Sequence, residues 1–523
     1  MIVTTAAEMR RMDALTIEKH GVPGAVLMER AGVGAATILL DRFPHVRTHG
    51  GVVVVAGKGN NGGDGFVVAR ALKKKRVRVD VILVAAAGDV RGDAKAKLHA
   101  WRRAGGTVRT VAADRLEPLA RALGRACCVV DALFGTGLGG EITGLPAEVI
   151  AMMNAAGLPT VALDVPSGLD SDRGVPLGIA IEAELTIAFA APKIGTVILP
   201  GARYAGEIAI VDIGLPAEAV AEVAPRTEAV SALDAARLLR PRNPEAHKGT
   251  HGHLAVIAGG LGKTGAAILA ARAATRAGAG LVTIGCPSGV LPIVAGGIVE
   301  AMTWPLPDDG TGRLASGDDR AFAQLLAEKH AAVVGPGIGT NAASNDLVRR
   351  LVTTRPLPLV LDADALTCLG RIGAGHDRPT DGAPLVLTPH PGEMSRLLGD
   401  ETVAIQADRL AAARKAAAAY DATVVLKGAR TIVAMPGGRA WINLSGNPGL
   451  AAGGTGDVLA GIVASLLAQG YPPDEAGPLG VFLHGHAADR IAGRQGMIGL
   501  VASDLPAELP ATMRDLLRLA ADA

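Results

Sequence analysis

Between Asn447 and Gly461 the chain reads NPGLAAGGTGDVLAG, placing glycines, one acid and the start of an apolar run side by side. Gly453, Gly454 and Gly456 free the backbone to turn N–H groups toward one point, and the run from Val458 to Leu467 predicts a helix beginning there. Backbone donors and a helix N-terminus attract phosphate. Asp457 adds negative charge where an anion must be held, so phosphate binding alone does not account for it. Removing a proton from a hydroxyl that attacks a phosphoryl group does account for it, with glycine N–H groups and a divalent ion carrying the developing charge. The bland alternative is that Asp457 is an N-cap.

A second constellation is GKGNNGGDG at Gly57–Gly65, which contains G-x-G-x-x-G after a strand, with Asp80 about 20 residues on as a dinucleotide fingerprint requires. The continuation puts Asp64 where a pyrophosphate would sit, which argues against a dehydrogenase. Asn60, Asn61 and Asp64 read instead as side-chain ligands and hydrogen-bonding groups.

Such groups need a scaffold. β-branched runs at Val52 to Ala56, Val77 to Val84, Cys128 to Asp131, Thr160 to Asp164, Thr186 to Ala190 and Ile208 to Asp212 alternate with alanine-rich helical stretches. This pattern predicts a doubly wound, mostly parallel α/β sheet. Gly214 to Ala246, with Pro216, Pro225, Pro241 and Pro244, loses the rhythm. We therefore expect a first domain over 1–220, a linker over 221–245 and a second domain over 246–523. In the second, strands are expected at Leu254 to Ala258, Leu281 to Gly285, Ala331 to Gly335, Leu359 to Asp362, Leu385 to Thr388 and Val424 to Lys427, with a helix from Thr264 to Ala277. Nearly every motif follows a strand's carboxyl end, where open α/β sheets bind ligands.

Composition bounds the chemistry. A formal net charge of +2 over 523 residues gives no field for nucleic acid or a membrane surface. No apolar run reaches the ~18 residues needed to span a bilayer, and Glu8, Asp13, Glu18 and Glu29 stand where a signal sequence would be apolar. A cytoplasmic, small-molecule enzyme is expected. Four cysteines without ligand spacing read as buried hydrophobes. His251 and His253, and likewise His484 and His486, lack the third ligand of a catalytic zinc site. A Walker A reading of the segment around Gly262 fails because Ile257 stands where its first glycine belongs.

Four ordered motifs, Leu27 to Gly32, Gly57 to Gly65, Asp131 to Gly137 and Asp164 to Gly168, resemble the NAD(P)H-hydrate epimerase family, also called the YjeF N-terminal domain. That family interconverts the R and S hydrates formed when water adds at C6 of reduced nicotinamide, and it uses K+. The resemblance implies a Rossmann-like first domain with K+ on Asn61, Asp131 and Ser167. It also implies a substrate site of Asn60, Asn61, Gly62, Gly63, Asp64, Gly135, Thr136, Gly137, Leu138, Gly139, Gly140, Glu141 and Asp164, with Asp164 as the proton-transfer group. Lys193 also matches the family, with no role derivable from the sequence.

Residues Ala258 to Ala266, Gly335 to Gly339, Asp362 to Ala365, Thr388 to Glu393, Val425 to Thr431 and the Asn447 segment together resemble the ADP-dependent NAD(P)H-hydrate dehydratase, or YjeF C-terminal, family. This implies a ribokinase-like α/β domain that phosphorylates the C6 hydroxyl from ADP and then eliminates phosphate, yielding NAD(P)H and AMP. Asp457 would be the base. Ala266, Gly339, His390 and Asp457 would face the hydrate, and Mg2+ would accompany the nucleotide. Lys427, Gly428, Ala429, Arg430, Thr431, Asn447, Gly453, Gly454, Thr455 and Gly456 would bind ADP. His390, between two prolines, has a turn-shaping alternative. The partners implied are NADH and NADPH hydrates, ADP and further copies of the chain, since related dehydratase domains form tetramers. The spacing leaves open ADP against ATP and NADH against NADPH hydrate. It also leaves a ribokinase-like small-molecule kinase fused to a nucleotide-binding domain as the competing enzyme, and a non-catalytic nucleotide sensor as the competing binding protein.

Overall fold

The computed structural model describes residues 1–113, 115–316, 319–375, 379 and 381–522. The chain forms two compact units, residues 2–227 and residues 1 with 228–523. This division lies inside the segment expected to be a linker. That segment carries the strand Thr227–Val230 and the helix Ala232–Leu238, whose start is fixed by a reciprocal cap between Ser231 and Asp234. The prolines that suggested a linker punctuate short elements instead: Pro216, for example, is the N-cap of the helix Ala217–Val223.

In the first unit, seven parallel strands run in the order β3-β2-β1-β4-β5-β6-β7. They are β1 (Val52–Ala56), β2 (Val79–Leu83), β3 (Val108–Thr110), β4 (Cys128–Ala132), β5 (Thr160–Leu163), β6 (Leu185–Phe189) and β7 (Glu207–Val211). The uninterrupted valines of β1 follow from burial on both faces of the sheet. Val52 and Val54 pack into one apolar cluster, and Val53 and Val55 into another on the opposite side. Each buried valine contributes about 1.5–3 kcal/mol. The strand order reverses between β1 and β4, which opens a crevice beyond Ala56 and Ala132, residues paired in register. Around it stand α1 (Ala6–Glu18), α2 (Gly24–Arg42) and α3 (Asn60–Lys74).

In the second unit the order β16-β15-β14-β13-β12-β11-β8-β9-β10 includes β8 (His253–Ile257), β9 (Leu281–Pro287), β10 (Met302–Leu306), β11 (Ala331–Val334), β12 (Leu359–Leu361), β13 (Leu385–Leu387), β14 (Thr423–Leu426), β15 (Ile432–Ala434) and β16 (Ala440–Asn443). Strands β8 to β14 are mutually parallel, and β15 and β16 are antiparallel additions. The helices that matter most are α4 (Thr264–Arg276), α5 (Asp364–Ile372), α6 (Pro391–Leu398), α7 (Thr455–Ala468) and α8 (Pro473–Gln495). Helix α7 is apolar all round and buried along nearly its whole length, as a helix without a polar face must be. It crosses α4 closely: a Cβ on Gly461 would lie 2.2 Å from the Ala270 carbonyl oxygen. Its N-terminus is therefore held rigidly at the sheet's carboxyl edge. Among the described residues, no helix is long and apolar enough to cross a membrane.

Two candidate active sites

The crevice of the first unit is a cavity of about 620 Å³. It gathers Asn60, Asn61, Asp64, Gly135, Thr136, Gly137, Leu138, Gly139 and Asp164 from the expected site. Gly62, Gly63, Gly140 and Glu141 do not line it. Gly62 and Gly63 are packing glycines: a Cβ on Gly62 would meet the Gly57 oxygen at 2.0 Å, and one on Gly63 would meet the Met28 sulfur at 2.7 Å. Gly62 thus seats α3 against the turn after β1, and Gly63 seats it against α2. Asp64 lies just past the helix's first turn, buried but facing the cavity.

Asp164 follows β5 with φ +67°, a left-handed conformation that aspartate tolerates at local cost and that marks strain. Its carboxylate accepts from Lys193 and, at 3.2 Å, from the Phe189 N–H. The Lys193 side chain is wholly buried, and its ammonium also donates to the carbonyls of Phe189 (3.2 Å) and Ala191 (3.1 Å). Lys193 is therefore a built part of the site and not a solvated turn residue. Two further carboxyls share this field. Burial first, and Asp164 second, lift the Asp64 carboxyl well above the usual range. Burial pushes Asp13, on α1, up to about 6 against the pull of Lys193.

Asn61 and Ser167 converge on the backbone of residue 134, and Asp131 joins them through Ser167. Asn61 donates its amide to the Phe134 carbonyl at 2.8 Å, while the Ser167 hydroxyl lies 2.9 Å from the Phe134 N–H and 3.2 Å from its carbonyl. Asp131, fully buried at the end of β4, accepts from the Ser167 hydroxyl (2.6 Å) and N–H (2.7 Å). Burial pushes its carboxyl up to about 6 despite these bonds. The donor set is all oxygen, which fits a hard cation. A bound cation would offset the buried charge of Asp131.

In the second unit, Asp457 lies inside α7 rather than ahead of it. The helix starts a turn earlier than the apolar run suggests, its N-cap is Gly454 with φ +89°, and no side chain makes a capping bond. The N-cap reading of Asp457 is thereby excluded. Burial, then Asp362, push its carboxyl up to about 7, with Lys427 pulling the other way. Of the loop glycines only Gly454 has positive φ. Gly453 has open space where a Cβ would be, and a Cβ on Gly456 would lie 3.3 Å from the Lys427 ammonium. The conformational freedom expected of all three is needed at one. The other two leave room.

Lys427, at the end of β14, pairs with Asp362 after β12 at 2.6 Å and with Glu393 at 3.6 Å. Burial works against its charge, but the Asp362 and Glu393 carboxylates outweigh it and hold the ammonium above the ordinary lysine range. Thr388 after β13 donates to Asp362 at 2.8 Å. Nearby, Asp364 accepts from Lys263 and from the Gly339 N–H, both at 2.9 Å, and a Cβ on Gly337 would touch the Ala266 methyl at 3.4 Å. The expected group of Ala266, Gly339 and Asp457 is thus joined by Lys263, Asp362 and Asp364. His390 caps α6: its Nδ1 accepts from the N–H groups of Gly392 (3.0 Å) and Glu393 (3.3 Å). Burial, reinforced by Lys427, keeps its imidazole below the ordinary value and so neutral at pH 7.

The segment Lys427 to Arg430 is held from beneath. Arg409 donates to the carbonyls of Ala429 (2.5 Å), Leu426 (3.2 Å), Lys427 (3.3 Å) and Arg430 (3.4 Å). Thr431 donates to the Gly428 carbonyl at 2.9 Å. Asn447 is tied to Asp489 of α8 (2.9 Å) and accepts from the Gly449 N–H (3.0 Å). Thr455 closes the loop through the Leu450 (2.9 Å) and Ala452 (3.0 Å) carbonyls. His484 lies 2.9 Å from the Thr455 carbonyl, which can only accept, so the proton sits on Nε2. Burial pushes this imidazole down to about 4. His486 stacks on Phe482, and among the described residues no three His, Cys, Asp or Glu side chains gather as a metal site.

Residues 24–195 match the family described as YjeF-related protein N-terminus, and residues 254–511 the family described as NAD(P)H-hydrate dehydratase. The bifunctional NAD(P)H-hydrate repair enzyme Nnr of Moorella thermoacetica is 42% identical over 520 residues, covering 99% of this chain and 97% of that one. This chain belongs to the bifunctional NAD(P)H-hydrate repair enzyme family. The Nnr of Salinibacter ruber is 40% identical over 525 residues, covering 97% of this chain and 95% of its own. A solved ADP/ATP-dependent NAD(P)H-hydrate dehydratase from Bacillus subtilis, co-crystallised with ATP and Mg2+, is 31% identical, with 55% of this chain and 98% of that one covered and a TM-score of 0.48. Within the family frame, the residues unread in the sequence are Asp13, Arg409, Asp362, Asp364 and Glu393. The acids after β12 and β13 lay inside quoted motifs, while Asp13 and Arg409 sit in ordinary helices with no local signal.

Proposed function

We propose that residues 2–227 interconvert the R and S forms of hydrated NADH and NADPH, and that residues 228–523 dehydrate the S form with ADP, yielding NAD(P)H, AMP and phosphate. The observation that carries this reading is Asp457 in the first turn of α7. It is a carboxyl raised to about 7, close enough to the Lys427 ammonium for the two charges to act on each other. A base with that pKa can take the C6 hydroxyl's proton near neutrality. As the hydroxyl oxygen bonds the β-phosphorus of ADP, AMP leaves. Lys427 and the N–H groups about Gly454 to Gly456 then face the charge that develops on the phosphoryl oxygens. With phosphate in place of hydroxide, the ring nitrogen's lone pair expels it, and loss of a C5 proton restores the reduced nicotinamide.

No protein cage for Mg2+ is formed among the described residues, so the ion would be held through nucleotide phosphates. Asn61, Asp131 and Ser167 would hold K+ in the first unit, where it would supply positive charge beside the substrate. Asp164, fixed by Lys193, would move the epimerase's proton. The free cysteines suit a reducing, cytoplasmic setting. Assembly into homo-oligomers follows the resemblance alone.

The test is incubation of the full chain with each NADH hydrate epimer and ADP. The expected result is recovery of NADH absorbance with one free phosphate per NADH. No recovery from either epimer would falsify the reading. A phosphorylated product retained without phosphate release would instead indicate a kinase.

A further inference from the structure

An epimerase must perform the same chemistry on both faces of one carbon, which two proton-transfer groups, one for each face, can serve. Besides Asp164, the first cavity is lined by Asp13 from α1 and Asp64 from α3, with Lys193 buried behind them. These groups come from separate elements that the crevice brings together. Asp164 is paired with Lys193. Among the described residues Asp13 forms no ion pair.

We propose that Asp13 is the second proton-transfer group of the epimerisation, working as the counterpart of Asp164. The proposal rests on the epimerase reading above. In one direction Asp13 gives its proton to the C6 oxygen. The C6–O bond breaks with its electron pair going to that oxygen, water departs, and the ring nitrogen's lone pair forms an N1=C6 bond. A second water then bonds C6 from the other face, the N1=C6 pair returns to nitrogen, and the entering water's proton passes to Asp164. One water leaves and one enters, and the starting state returns when Asp164 releases its proton to solvent and Asp13 takes one up. In the reverse direction the two carboxyls exchange roles. The cationic intermediate suits a cavity lined by four aspartates, Asp13, Asp64, Asp93 and Asp164, against the three cationic side chains Arg10, Lys58 and Lys193.

The electrostatics support this division of labour. Burial raises Asp13 to about 6, so it is poised both to give and to take a proton near neutrality. Lys193 lowers it and Asp164 raises it, while Arg10, Lys58, Asp64 and Asp93 complete the charged lining of the cavity.

The full chain provides its own control, because the S epimer needs only the dehydratase and the R epimer needs both activities. Asp13→Asn is expected to dehydrate the S epimer at the wild-type rate while R-epimer conversion falls by about 10²–10⁴-fold. In the wild type, R-epimer conversion should decline as pH rises past about 6, where Asp13 loses its proton, and that decline should vanish in the variant. Asp13→Glu, which keeps the carboxyl, should recover part of the rate. Solvent ¹⁸O should enter C6 with each epimerisation. Wild-type R conversion by Asp13→Asn overturns the proposal, as does equal loss in the Asn and Glu variants or retention of the original oxygen. Conversion of the S epimer but not of the R epimer by the wild type removes the epimerase reading itself.

Discussion

Asp457 couples the pH dependence of stability to that of the chemistry. Its carboxyl is raised from 3.8 to about 7, so the native state holds a proton that the unfolded chain has released. Stability therefore falls as pH rises from about 4 to 7 and is flat above that, because the native state binds more protons throughout that window. Asp457→Asn should abolish this loss, leaving the protein on the order of 2 kcal/mol more stable than wild type at pH 8 and unchanged near pH 3. Denaturant midpoints at the two pH values measure it. The same substitution should cut dehydration of the S epimer by about 10²–10⁴-fold while ADP still binds. Wild-type dehydration kcat/KM should climb with pH up to about 7, since the ionised form is the base. The sequence disclosed this residue because an acid among glycines is chemically anomalous. It did not disclose Asp13 or Arg409, which lie in unremarkable helices and acquire meaning only where the chain returns from far away.

At the level of elements, the long β-branched runs were readable, and β1 coincides with its expected bounds. Strand β3 with Arg109 in its middle, β10 with Pro305, and the three-residue β15 were not, because their partners rather than their own residues make them strands. Reading α7 from Val458 likewise missed the turn Thr455 to Asp457. Its residues are poor helix formers, held by Thr455's bonds to the loop and by His484 at the Thr455 carbonyl. The turn after β14 depends on α-helical Arg409 in the same way. Arg409→Lys keeps the charge but cannot reach four carbonyls, and a buried ammonium short of acceptors is costly. It should destabilise the second unit by about 2–3 kcal/mol and raise KM for ADP more than it lowers kcat. Thermal melts and initial rates together test this.

For the molecule as a whole, each unit buries its own core. One cluster lies entirely within residues 230–516, and two others within residues 31–213. Unfolding should therefore show two transitions, not one. ADP at a hundred times its Kd should lift only the transition of the second unit, by about 2.7 kcal/mol. Calorimetry with and without ADP checks this, and a shift of both transitions would show that the cores unfold together. The four carbonyls anchored on Arg409 carry one more consequence. Under the proposed function, a nucleotide shelf fastened in this way would not swing aside to eject what it holds, and spent AMP would leave past stationary walls. Turnover would then be paced by how weakly the shelf grips AMP compared with ADP.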